Sequence, residues 1–81
     1  MVYLTDRITL DPNLCSGKPT IRGLRISVQT ILAFLFAGDK PDDILKQYPI
    51  LEKEDIEACQ QFALELMDRK YTLKAINEEA A

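Results

Sequence analysis

No segment narrows the folding options of this chain more than Gly17-Lys18-Pro19-Thr20-Ile21-Arg22-Gly23-Leu24-Arg25-Ile26. Gly17 and Gly23 are free to take positive φ, while Pro19 fixes one φ and removes one donor, so the chain can bend sharply on both sides of a short extended stretch. Between and beyond the bends, Ile21, Leu24 and Ile26 alternate with Lys18, Arg22 and Arg25. That alternation predicts a basic hairpin with its apolar residues inward and its cations outward. Ordinary solvated cations on any exposed strand would show the same spacing.

With 81 residues the chain has room for one domain and one small core. Hydrophobic residues at 47% and charged residues at 28% place it among folded globular proteins and away from disordered ones. The longest apolar run, Ile31 to Ala37, is far too short to span a bilayer, and the first residues lack the basic-then-apolar pattern of a signal peptide. A cytoplasmic protein with no membrane association is the expectation. The two cysteines, Cys15 and Cys59, form no Cys-x-x-Cys pair, and the chain has no histidine. A zinc site, a Cys-His nucleophile and a Ser-His-Asp triad therefore lack their ligands or their imidazole, no metal or cofactor is expected, and two reduced thiols are the simpler reading. The net charge of −3 is unevenly placed: residues 1–46 carry six cations against five anions, and residues 47–81 carry four against eight. Any surface for nucleic acid thus belongs to the N-terminal part, since phosphate would repel the rest.

Along the chain, Arg7-Ile8-Thr9-Leu10 alternates and stops at the turn cluster Asp11-Pro12-Asn13, which predicts a short strand able to pair with Leu24-Arg25-Ile26. Ser27 is a good N-cap for a helix to about Ala37, with Val28, Ile31, Leu32 and Leu35 on one stripe and Gly38 as its stop. Phe34 and Phe36 flank that stripe, so this helix is expected at the centre of the fold or at an interface. Pro41 with Asp42 and Asp43 opens a second, short helix to about Gln47; Lys40 is a poor cap, so Asp39 caps one residue early or the entry is loose. After Tyr48-Pro49, carboxylates at Glu52, Glu54 and Asp55 precede Ile56, Cys59, Ala63 and Leu66 at helical spacing, which predicts a third helix to about Arg69. Residues 1–69 are expected to form the domain and residues 70–81 a helical or frayed extension.

Gly17-Lys18 fails as a phosphate-binding loop, because Pro12 stands where the first glycine belongs and Pro19 where Ser or Thr belongs. The paired carboxylates Asp42-Asp43 and Glu54-Asp55 are better explained by complementing helix dipoles than by acid-base work, and no enzyme is expected. Three helices with a tight connection between the last two predict a mainly α, helix-turn-helix domain, homeodomain-like or winged-helix-like, behind a short β-hairpin. The first turn of the third helix is acidic, however, where a recognition helix normally carries Arg, Lys, Asn or Gln. The candidate DNA contacts are therefore Lys18, Arg22 and Arg25, with Arg7 nearby if the strands pair.

Taken together, Ile8-Thr9-Leu10-Asp11-Pro12, Cys15, the Gly17 to Ile26 segment, Ile31-Leu32, Gly38, Ile44-Leu45, Tyr48-Pro49, Leu51 and Glu54-Asp55-Ile56 closely resemble the bacterial domain of unknown function 433 family over roughly residues 7–63. Ser27 stands where members often have proline, and Glu52 where a Thr or Ser cap is common. The resemblance implies small helix-turn-helix antitoxins, often paired with a PIN-like ribonuclease toxin, and a three-helix DNA-binding fold preceded by a short β-hairpin. The expectation is then a non-enzymatic, homodimeric regulator that binds operator DNA and silences a nuclease partner. In it, Tyr71, Leu73 and Ile76 would form an apolar partner-binding patch beside Glu78 and Glu79. The alternative is a protein-interaction module of the same shape that binds no DNA, which the acidic pI of about 4.8 favours. A third class, an effector sensor or small enzyme using Cys15, would need a reactive thiol.

Overall fold

Ile8 and Ile21 are fully buried and stand opposite each other on adjacent antiparallel strands, and the rest of the fold is built over them. The computed structural model describes residues 1–68, so the expected extension with Tyr71, Leu73 and Ile76 lies outside the described residues, as does Arg69. Those described form a mainly α structure with a small β part: β1 (Val2–Tyr3), β2 (Ile8–Leu10), β3 (Thr20–Ile21), α1 (Val28–Phe36), α2 (Pro41–Gln47) and α3 (Lys53–Met67). None of these helices is long and apolar enough to cross a membrane.

The β part is a three-stranded antiparallel sheet in the order β1-β2-β3, where a single hairpin was expected. β2 pairs with Thr20–Ile21 on one side and with Val2–Tyr3 on the other, so Leu24–Ile26 is not its partner. The reason lies in the turn. Arg22 and Gly23 both have positive φ, +48° and +71°, and the Leu24 N–H donates to the Ile21 carbonyl at 2.8 Å. Those are the φ signs of a type I′ turn, which reverses the chain at once, so Ile26 returns to β3 itself and its carbonyl accepts the Ile21 N–H at 3.1 Å. Upstream, Cys15, Ser16 and Gly17 form one left-handed turn with φ of +49°, +56° and +80°.

A buried hydroxyl pair locks this corner. Thr9 and Thr20 face each other in register with their Oγ1 atoms 2.8 Å apart, and the Thr9 Oγ1 also accepts the Gly23 N–H at 2.8 Å. From there the chain enters α1 directly: the Val28 N–H donates to the Pro19 carbonyl, and the Ser27 Oγ accepts the Thr30 N–H at 3.1 Å as the expected N-cap. Gly38, at φ +101°, follows the end of α1. Lys40 holds the N-cap position of α2, and its N–H is taken by the Asp43 carboxylate at 3.3 Å, so of the two alternatives for this entry the early cap is the one that does not form. Asp39 does not serve.

Val28 and Ile31 of α1, Ile44 of α2, Leu51 from the connection and Ile56 and Cys59 of α3 close over Ile8 and Ile21 to make the core. Phe34 packs against Tyr48 in a tilted ring pair at 6.1 Å between centroids. Each of the three helices touches the other two, and α3 also touches β2. Phe36, by contrast, is 89% exposed, and the α3 stripe fades from buried Ile56 and Cys59 to half-exposed Leu66. Helix-turn-helix identity is a finer matter than this architecture.

Replacing Thr9 by Val removes the acceptor of the Gly23 N–H and the partner of the Thr20 hydroxyl while keeping the volume. Urea denaturation is expected to show a loss of about 1–3 kcal/mol, the cost of leaving part-buried polar groups unpaired. An unchanged midpoint would show that the hydroxyl pair is dispensable to the corner.

Candidate functional site

Arg7 precedes β2 and Arg22 follows β3, so the strand register that pairs Ile8 with Ile21 sets the two arginines directly across from each other, with the Arg22 N–H donating to the Arg7 carbonyl at 2.9 Å. Like charges placed opposite on adjacent strands repel. Here a carboxylate from α3 lies between them. Asp55 is the third residue of α3, and its side chain is wholly buried.

Arg22 grips Asp55 as a fork, Nε to Oδ1 and Nη2 to Oδ2, both at 2.9 Å. Its Nη2 also donates to the Ile50 carbonyl at 3.1 Å. Arg7 Nη1 donates to Asp55 Oδ1 and to Glu52 Oε1, each at 2.9 Å. The Glu52 N–H completes the set, donating to Asp55 Oδ2 at 2.8 Å, so the carboxylate also caps the first turn of its own helix. Two cations and two anions thus make a neutral cluster in which Asp55 is buried, the two arginines are partly exposed and Glu52 is exposed.

The electrostatics follow from this geometry. Burial by itself would push the Asp55 carboxyl up, but the Arg22 guanidinium, the Glu52 N–H and the Arg7 guanidinium together hold it below 3.8, the ordinary aspartate value. Arg7 is held more firmly protonated than usual by Glu52 first and then by Asp55, and Arg22 by Asp55. The fork also explains the backbone at Arg22: a left-handed φ costs a residue with Cβ about 1–2 kcal/mol, and four contacts of its side chain and backbone hold it there.

Of the four cations expected to face DNA, two meet at Asp55 and two do not. Arg7 and Arg22 have their guanidiniums turned onto α3, with side chains about 30% exposed. Lys18 and Arg25 are exposed and form no ion pair among the described residues. Tyr71, Leu73 and Ile76 lie outside the described residues. Beside the cluster, Glu54, Glu57 and Glu65 of α3, with Asp6 and, at its inner edge, Arg7, line a recess of about 410 Å³ that also takes in Thr5, Ala58, Gln61 and Phe62.

Asp55 was missed by the sequence reading, which gave it to the helix dipole. A signal was present. Asp55 adjoins Ile56 and lies four residues before Cys59, so it shares the inward face of α3, where a carboxylate needs a cationic partner. Cys59, on the same face, is fully buried, and burial, with the Asp55 charge behind it, pushes its thiol up to about 12. It is therefore no nucleophile in the folded chain.

The model of a family described as "Protein of unknown function (DUF433)" matches residues 8–63, a span that holds Arg22, Glu52 and Asp55 and stops one residue short of Arg7. Among solved structures, the crystal structure of a DUF433 member protein from Anabaena variabilis is similar, with a TM-score of 0.71 and 29% identity, covering 94% of this chain and 69% of that one. No curated protein matches the chain.

Asp55→Asn keeps an acceptor for the Glu52 N–H but removes the charge between two arginines, and about 2–3 kcal/mol of stability is expected to go with it at neutral pH, below the full cost of a deeply buried pair because both arginines are partly exposed. Because the folded carboxyl titrates below 3.8, its contribution is fully present above that value and is lost as pH falls through the lower folded one. Unfolding free energy plotted against pH should therefore drop more steeply on the acid side in the natural chain than in Asp55→Asn. Parallel curves would place the acid sensitivity elsewhere.

Arg22 offers a separate test of the strained turn. Arg22→Gly loses the fork but relieves the left-handed φ, so it should be less harmful than Arg22→Ala by about 1 kcal/mol. Equal losses would mean that the turn stores no strain.

Proposed function

Since the chain belongs to the DUF433 family, whose function is unknown, we propose its role from the surface it presents: a non-catalytic, protein-binding regulator of the antitoxin type, whose acidic α3 face engages a basic protein. One observation carries this reading. The outer face of α3, where a helix-turn-helix protein would carry its DNA-reading cations, presents Glu54, Glu57 and Glu65, while Arg7 and Arg22 are turned onto Asp55. A ribonuclease that binds RNA has a basic surface of the kind such a face attracts, which agrees with the toxin partner the family resemblance implies.

Operator binding is the second reading, favoured by the exposed Lys18 and Arg25 of the turn-rich segment. In that case these two residues are the phosphate contacts, and Arg22 acts by shaping the turn from which Arg25 projects.

Co-expression of the full chain with the product of the neighbouring gene, together with titration of the upstream DNA fragment at several salt concentrations, separates the two. The expected outcome is co-purification that Glu54→Lys with Glu57→Lys abolishes, and DNA binding no tighter than to unrelated sequence. Sequence-specific binding whose log K against log salt slope falls by about one unit in Arg25→Ala would replace this reading with the operator one.

A further inference from the structure

The two recesses that the end of α1 forms with the last turns of α3 are lined by no charged side chain among the described residues, in a chain of which 28% is charged, while Glu65 and Asp68 border Leu64 and Met67 on their far side. Phe36 projects from it, 89% exposed, with Leu64 62% and Met67 76% exposed alongside. Exposed apolar residues are ordinary when scattered, but a contiguous patch marks an interaction surface.

Its shape says what fits. Phe36 stands between two recesses and lines both of them. One, of about 420 Å³, lies between α1 and α3 over Leu32, Ala33, Phe62, Ala63 and Leu66. The other, of about 390 Å³, lies over Leu35, Leu64 and Met67. A knob next to a hole on one patch is self-complementary: a two-fold axis through the face brings the knob of each copy to the hole of the other.

We propose that a second copy of this chain occupies this face, with Phe36 of each protomer entering the α1–α3 recess of its mate. The area agrees, since the exposed apolar side chains offer on the order of 500 Å² per copy, or about 1,000 Å² across the pair, the lower bound of a specific interface. The chemistry agrees as well. Recesses lined without charge favour neither an acidic nor a basic partner, whereas apolar, desolvated centres are the habit of homodimers. The inference does not use the carboxylates Glu54 and Glu57 of the acidic α3 face, which adjoins this one through Phe62.

Sedimentation equilibrium of the full chain across the micromolar range tests it. The natural chain should show a reversible dimer, and Phe36→Glu should raise the dimer dissociation constant by about 100-fold or more, as expected for a central aromatic anchor. Met67→Glu, at the rim of the second recess, should weaken the pair less. Both side chains are exposed, so unchanged circular dichroism is expected to confirm folding. A monomer at every concentration would overturn the proposal and give the face to another occupant, whether residues 69–81, a small apolar molecule or a foreign protein. A dimer indifferent to Phe36→Glu would overturn it equally, by locating the contact on a different surface. Neither result depends on whether a basic partner or DNA is bound.

Discussion

A single buried carboxylate organises this molecule. Asp55 has no solvent of its own and no room to stay charged without partners, and the strand register supplies two arginines facing each other with no room to be close without an anion. Each unfavourable placement is made favourable by the other. From that match follow the tie between α3 and the hairpin, the cap on its first turn through the Glu52 N–H, and the survival of a non-glycine residue at positive φ in the turn. The hydroxyl pair of Thr9 and Thr20 does the same on the neutral side of the corner, holding Gly23 in place.

The consequence for function is a redistribution of charge. In the linear chain, Arg7, Lys18, Arg22 and Arg25 read as one basic patch; in the fold that patch divides into an internal pair that is neutralised and an external pair that is exposed. What α3 turns outward is acidic along one side and uncharged along another. A helix with those two faces is suited to meeting proteins, and membership of DUF433 leaves the choice of partner to the chemistry of these surfaces.

Much of this was legible from local pattern. The three helices begin and end close to where caps, Pro41 and the apolar stripes put them, and Ser27 caps as its chemistry requires. Gly23 marked the turn because its positive φ is a local demand. What could not be read locally is pairing. Two residues of strand at Val2–Tyr3 carry too little periodicity to announce themselves, and the preference of Ile8–Leu10 for Thr20–Ile21 over Leu24–Ile26 is decided by the turn type, which hinges on an arginine in an unusual conformation. That conformation depends in turn on Asp55. Helix-dipole reasoning accounted for Glu54 and stopped there, because a carboxylate on the outer side and one on the inner side of a first turn look alike unless the helical face is tracked residue by residue.

The distances along the chain give the network one more property. Asp55 is 33 residues from Arg22 and 48 from Arg7, so each contact closes a long loop that contains α1 and α2. Hairpin and helices are local and quick, and long-range closures come after them. Closure entropy rises only with the logarithm of loop length, so the tie across 48 residues costs little more to close than the tie across 33. One carboxylate thus holds both outer ends of a hairpin to a helix that the chain reaches only after two others, and it does so for little more than the entropy of a single closure.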